Sequence, residues 1–160
     1  FVDEQIGHIY DALAKAGVLE NTYVIFTADH GDGQGEHYHW RKGYPYEHSA
    51  HVPMLLRWPE NDARRAKFSV KRGSTSMRIS ELRDVLHTVL DAGGAPPPTE
   101  RGFEAEDGKS LLCLLEDPDG FSHSRRYPIM MPMLTYLANS SGLASLLHCI
   151  PCQYLFHLFA

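Results

Sequence analysis

Residues 22–28 read Thr-Tyr-Val-Ile-Phe-Thr-Ala and run straight into Asp29-His30-Gly31. The run is β-branched and aromatic, with almost no polar interruption. That composition predicts a strand buried on both faces, as in a parallel sheet covered on its two sides. In open α/β sheets, ligands bind beyond the carboxyl ends of the strands. Asp29 and His30 therefore leave the strand on the edge where chemistry is expected.

Upstream, Val2, Ile6, Ile9, Tyr10 and Leu13 fall at i, i+4, i+7, i+8 and i+11. This single apolar stripe predicts a helix over 2–16, stopped by Gly17. Downstream, residues 29–47 carry glycines at 31, 33, 35 and 43, one proline and many polar groups. They predict a long loop, and loops of that length in a compact domain are functional or disordered. Residues 52–58, Val-Pro-Met-Leu-Leu-Arg-Trp, read as a second strand, with Pro53 near an edge or bulge. Residues 60–73 are charged and read as a surface excursion. A second amphipathic helix is predicted over 80–91, with Ser80 as N-cap and Leu82, Val85, Leu86, Val89 and Leu90 as its apolar face. Gly93, Gly94 and the prolines at 96–98 end it. Ser110–Glu116 predicts a short helix. Helix, loop and buried strand make half of an α/β unit. The fold class is thus α/β, a mostly parallel sheet with flanking helices.

Composition narrows the function. The net charge of -5 gives no electrostatic case for a nucleic-acid partner. The apolar tail is interrupted by Pro128, Pro132 and Pro151 and makes no convincing membrane span. Three cysteines, Cys113, Cys149 and Cys152, are too few and too clustered for a disulfide framework. The chain opens Phe-Val-Asp-Glu, which reads as the middle of something longer.

The chemistry concentrates after the first strand. A carboxylate and an imidazole side by side at a strand end can reach one metal ion. Lys42, in Trp40-Arg41-Lys42-Gly43, is suited to hold an anionic ester oxygen as a point charge. Taken alone, Asp29 is equally a turn cap, His30 an exposed loop residue and Lys42 a solvated lysine. Five histidines at 30, 37, 39, 48 and 51 fit no common zinc spacing. Trp40 and Trp58 read as packing residues.

The strings Val-Ile-Phe-Thr-Ala-Asp-His-Gly, Gly-Glu-His, Lys-Gly-Tyr-Pro-Tyr-Glu and Val-Pro-Met-Leu-Leu-Arg-Trp-Pro, in this order and spacing, resemble the second signature region of sulfatases. Glu81–Gly94 and Asp107–Leu112 are similar to the arylsulfatase-like branch of that family, within the alkaline-phosphatase superfamily. Together these strings cover roughly residues 2–117. The resemblance implies a partial alkaline-phosphatase-like fold over 1–117, the C-terminal portion of a catalytic domain, followed by an unassigned tail over 118–160. It implies Asp29 and His30 as ligands of a divalent metal, calcium in most relatives, with manganese or zinc open because of the imidazole. It implies Lys42 on the sulfate and His37 at a catalytic or supporting position. The reaction would be hydrolysis of a sulfate ester of a small molecule or glycan, in the secreted, lysosomal-like or periplasmic-like setting typical of the family. A phosphate or phosphonate ester hydrolase, or a non-catalytic metal-binding domain, are the alternatives. Tyr38 and His39 replace a more usual Gly-Leu, which bears on substrate preference, and His51 stands where arginine is common.

In this family the nucleophile is a formylglycine matured from Cys (or Ser)-x-Pro-x-Arg, well upstream of the metal strings. Cys149-Ile150-Pro151-Cys152-Gln153 nearly matches that pattern but ends in Gln and follows those strings. It is read as a chance match, and a zinc pair with His148 or His157 completes no known pattern. The 160-residue chain on its own is therefore expected to give no turnover.

Overall fold

The computed structural model describes residues 1–101, 108–123 and 156–158. Helix α1 spans Val2–Lys15 and ends at Ala16, after which Gly17 turns with φ 69°. A 3₁₀ turn, Leu19–Asn21, leads into β1, Val24–Thr27. The loop beyond β1 contains a small hairpin, β2 Gly33–Gln34 and β3 Trp40–Arg41, and a one-turn helix α2, Glu47–Ala50. Strand β4, Met54–Arg57, and the short β5, Thr75–Ser76, follow. Helices α3 (Arg83–Ala92), α4 (Leu111–Glu116) and α5 (Pro118–His123) pack in sequence, and β6, Phe156–Leu158, joins the sheet.

The main sheet has the order β1-β4-β6-β5. Strand β1 runs antiparallel to β4, with Val24 opposite Arg57 and Thr27 opposite Met54. Only β4 and β6 are parallel, and β5 is antiparallel to β6. The expected mostly parallel sheet is therefore not found among the described residues. An apolar run reports how deeply a strand is buried, whereas strand direction is set by the connection, and the 29–53 segment returns the chain alongside β1 in reverse. Depth differs too. Edge strand β1 is half-buried throughout, while the inner strand β4 supplies fully buried Met54 and Leu56.

These two side chains meet Leu111, Leu112, Leu114 and Leu115 of α4, Trp58 and Phe121 in one core. Ser110 caps α4 by accepting from Leu112 N at 3.2 Å, as Ser-led helices do. Phe68 edges against Trp58 at 5.5 Å, so the charged 60–73 excursion also contributes apolar packing. Arg57, almost fully buried, donates to Leu19 O at 2.9 Å and pins the 3₁₀ turn to β4. No residue of α1 is buried. Among the described residues no helix is long and apolar enough to cross a membrane.

Helix α3 departs in part from its predicted face. It starts at Arg83 and Ser80 does not cap it. Leu86 and Val89 are exposed, Leu82 and Val85 pack partly buried against the core as predicted, and the fully buried residues are Asp84 and Thr88. Asp84 accepts from Glu81 N at 2.8 Å and Lys109 N at 3.0 Å. Thr88 Oγ1 donates to Asp84 O at 2.7 Å and accepts from Leu111 N at 2.9 Å. Two polar side chains thus dock α4 onto α3 by satisfying backbone groups that would otherwise be buried unpaired. Replacing Asp84 with Ala orphans two N–H groups, so Asp84→Ala is expected to lower stability by roughly 2–4 kcal/mol in urea unfolding. A loss below about 1 kcal/mol would show that this carboxylate is not a pin.

Candidate functional site

Asp29 and His30 lie two and three residues beyond the end of β1, where the chain leaves the sheet. Asp29 is 84% exposed. Its Oδ1 accepts from His30 N at 3.0 Å, and its Oδ2 lies 3.2 Å from His30 Nε2. On the other side of the ring, His30 Nδ1 is 2.9 Å from Gly31 O. Lys42 comes back across the loop, and its Nζ reaches His30 Nε2 at 2.5 Å. A carboxylate, an imidazole and an ammonium thus share one neighbourhood, although twelve residues separate Lys42 from His30.

What holds His30 there is the next residue. Gly31 N donates to Ser49 O at 2.8 Å, which docks the post-strand turn on α2. The approach is so close that a Cβ on Gly31 would stand 1.9 Å from His48 O. Only glycine permits that contact. Gly33 lies beneath the His48 ring, with its position for a Cβ 2.6 Å from His48 Cδ2. Sequence periodicity could not reveal this dependence, because α2 is a single turn.

His37 is placed elsewhere. Its ring stacks on Tyr46 at 4.3 Å and 21°, and His39 stacks on Tyr44 at 4.2 Å and 25°. Tyr46 and His48 are tilted 5.9 Å apart, extending the stack toward α2. Among the described residues no hydrogen bond or ring contact joins His37 to His30 or Lys42. His37 and Tyr38 have φ of 54° and 62°, and Arg41 has φ of 70°, a left-handed region that non-glycine residues seldom occupy. Glu36 Oε2 accepts from Gln34 N at 2.6 Å. Backbone N–H groups of Glu36 itself and of Gln34 hold that carboxyl below its usual range. The alternation of His and aromatic residues over 37–40, answered by Tyr44 and Tyr46, was the available signal for this stack. His51 pairs with Glu47 at 2.7 Å, one turn apart.

Among the described residues, no three side chains of His, Cys, Asp or Glu converge to hold a metal. Asp29 and His30 are a pair. The Cys149–Gln153 string lies outside the described residues.

The two glycines separate positioning from simple space. The Gly31 clash is with backbone, whereas the tightest Gly33 clash is with the movable end of a side chain. Gly31→Ala is expected to cost about 2–4 kcal/mol and to shift the His30 ring resonances. Gly33→Ala should cost less than half as much in the same unfolding assay. Equal, small effects would mean that α2 does not position His30.

Comparison with known proteins bears on this arrangement. A family model described as Sulfatase matches residues 1–95. The arylsulfatase of Clostridium perfringens is 38% identical over 116 residues, covering 72% of this chain and 22% of that protein. The N-acetylglucosamine-6-O-sulfatase of Bacteroides thetaiotaomicron is 36% identical over 116 residues, covering 72% and 18%. Human arylsulfatase K is 35% identical over 112 residues, covering 70% and 18%. A solved structure in complex with its substrate D-glucosamine-2-N,6-O-disulfate aligns with a TM-score of 0.59 and 35% identity, covering 72% of this chain and 21% of that one. The chain therefore spans about a fifth of the length of these relatives. That likeness assigns the alkaline-phosphatase-like α/β fold in spite of the antiparallel β1–β4 pair. With the family model covering more than half of its residues, the chain belongs to the sulfatase family.

Proposed function

We propose that the loop after β1 forms one wall of a sulfate-ester hydrolase site, in which Asp29 and His30 hold a divalent cation and Lys42 holds the sulfuryl oxygens. The supporting observation is the convergence on His30 Nε2, with Asp29 Oδ2 at 3.2 Å and Lys42 Nζ at 2.5 Å. The ring proton follows from its partners. Gly31 O can only accept, so Nδ1 carries the hydrogen, and Nε2 offers its lone pair to the donating ammonium. Nε2 and Oδ2 stand side by side, and a bound cation would take the Nε2 lone pair in place of the ammonium, leaving Lys42 to the sulfuryl oxygens. Ligand atoms at right angles around a cation, each about 2.1–2.4 Å from it, lie about 3.0–3.4 Å apart. The observed 3.2 Å fits that edge. One oxygen and one nitrogen donor suit manganese or zinc as well as calcium.

When bound, such a cation supplies Lewis-acid stabilisation of charge on the ester oxygens. The chain's own residues do the rest of the positioning. Lys42 offers three N–H donors to a tetrahedral anion as a mobile point charge. His37 serves through its stack on Tyr46, bracing the loop that returns Lys42 to His30. The attacking group comes from outside this loop, and formylglycine in an upstream segment is the expected nucleophile. The sulfated sugar bound by the solved relative supports a sulfated small molecule or glycan as the ligand class.

Manganese titration followed by paramagnetic broadening of histidine ring signals tests the cation pair. His30 is expected to broaden first, and Asp29→Asn or His30→Ala to weaken binding roughly tenfold or more. Lys42→Ala should abolish inorganic sulfate binding yet leave manganese binding in place. Broadening centred on His37 and His48, untouched by Asp29→Asn, would refute the assignment.

A further inference from the structure

The hairpin between β2 and β3 carries aromatic surface that the cation pair does not use. From 37 to 40 stacked imidazoles alternate with exposed aromatic rings. The rings of His37 and His39 are taken up by their stacks on Tyr46 and Tyr44. Tyr38 is 99% exposed and Trp40 is 73% exposed. The ring edge of Trp40 rests over Gly35, whose position for a Cβ is 3.8 Å from Cζ2. His37 and Tyr38 both have left-handed backbone, at a cost on the order of 1 kcal/mol or more each. Such strain persists where the surroundings over-determine it, and it concentrates at ligand clamps.

The position of these rings restricts what they can meet. Two residues of extended chain span at most about 7 Å, so Trp40 sits within that reach of Lys42 along the backbone. Exposed Arg41 lies between them. Aromatic faces next to an ammonium and a guanidinium complement a ligand with an apolar face and an anionic substituent. Apolar ligands are usually enclosed in concave pockets. Tyr38 lies open on both faces, and an open platform suits a ligand that keeps its other side hydrated. A sugar ring has this character, with a face of C–H groups for stacking and hydroxyls for water.

We infer that Tyr38 and Trp40 form the saccharide subsite of this site, stacking on the pyranose ring of a sulfated sugar whose sulfate is held by Lys42. This rests on the sulfate-ester reading above and adds the class of its alcohol portion. Tyr38 and Trp40 are then specificity residues, with no part in holding the sulfate or the cation.

The test is binding to the 160-residue chain, read by tryptophan fluorescence and amide resonances. The probes are glucosamine 6-sulfate, 4-nitrophenyl sulfate and inorganic sulfate. Tyr38→Ala is expected to weaken glucosamine 6-sulfate roughly five- to tenfold while leaving inorganic sulfate unchanged. Trp40→Ala, read by amide shifts, should do the same, and Tyr38→Phe should retain binding because the ring remains. Amide fingerprints of the variants should match the parent away from the hairpin. Unchanged sugar affinity in both Ala variants overturns the inference, as does a greater loss for the aryl sulfate than for the sugar. Absence of sugar binding in the parent chain overturns it too. Inorganic sulfate binding that is indifferent to Lys42→Ala instead defeats the sulfate-ester reading beneath it.

Discussion

Backbone crosses backbone where Gly31 passes His48, at a distance that leaves no room for a side chain. The site depends on that crossing. The hydrogen bond from Gly31 N to Ser49 O fixes the turn after β1 against α2. With the turn fixed, Asp29 folds back on His30, and Lys42 completes the group from the far side of the hairpin. A group of side chains on a loop is only as well placed as the anchor beneath it. Here the anchor is a main-chain contact, independent of any long side chain's rotamer entropy.

The hairpin solves a related problem by other means. Its two strands are two residues each, too short to be stable alone. The imidazole and phenol rings supply what the ladder lacks. His37 on Tyr46 and His39 on Tyr44 tie the outgoing arm of the loop to the returning one. Stacked pairs of this kind add stabilisation beyond their buried area. They offset the left-handed backbone at three residues of the hairpin, His37, Tyr38 and Arg41.

How much of this was legible in the sequence depends on the range of the interaction. Local periodicity placed α1, β1, β4 and α4 within a few residues, because apolar spacing is a property of short segments. The Asp-His-Gly and Lys-Gly strings indicated which residues meet, and the structure brings Asp29, His30 and Lys42 together. Three things were not legible. Strand direction depends on the path of the 29–53 loop and not on the content of residues 22–28. The polar part of the inward face of α3 was hidden because Asp84 and Thr88 are buried for their hydrogen bonds, against the hydropathy pattern. The need for Gly31 arises from His48, seventeen residues away.

The polar inward face of α3 has a consequence for uniqueness. A purely apolar contact between α3 and α4 would tolerate sliding or rotation, since one leucine is much like the next. Asp84 and Thr88 remove that freedom. Each residue of rotation turns a helix by about 100°, which would carry the carboxylate away from Lys109 N and into leucines. Every misaligned pairing would leave buried charge without donors. The two helices therefore have one seating, and the polypeptide that follows α4 always leaves the core in the same direction.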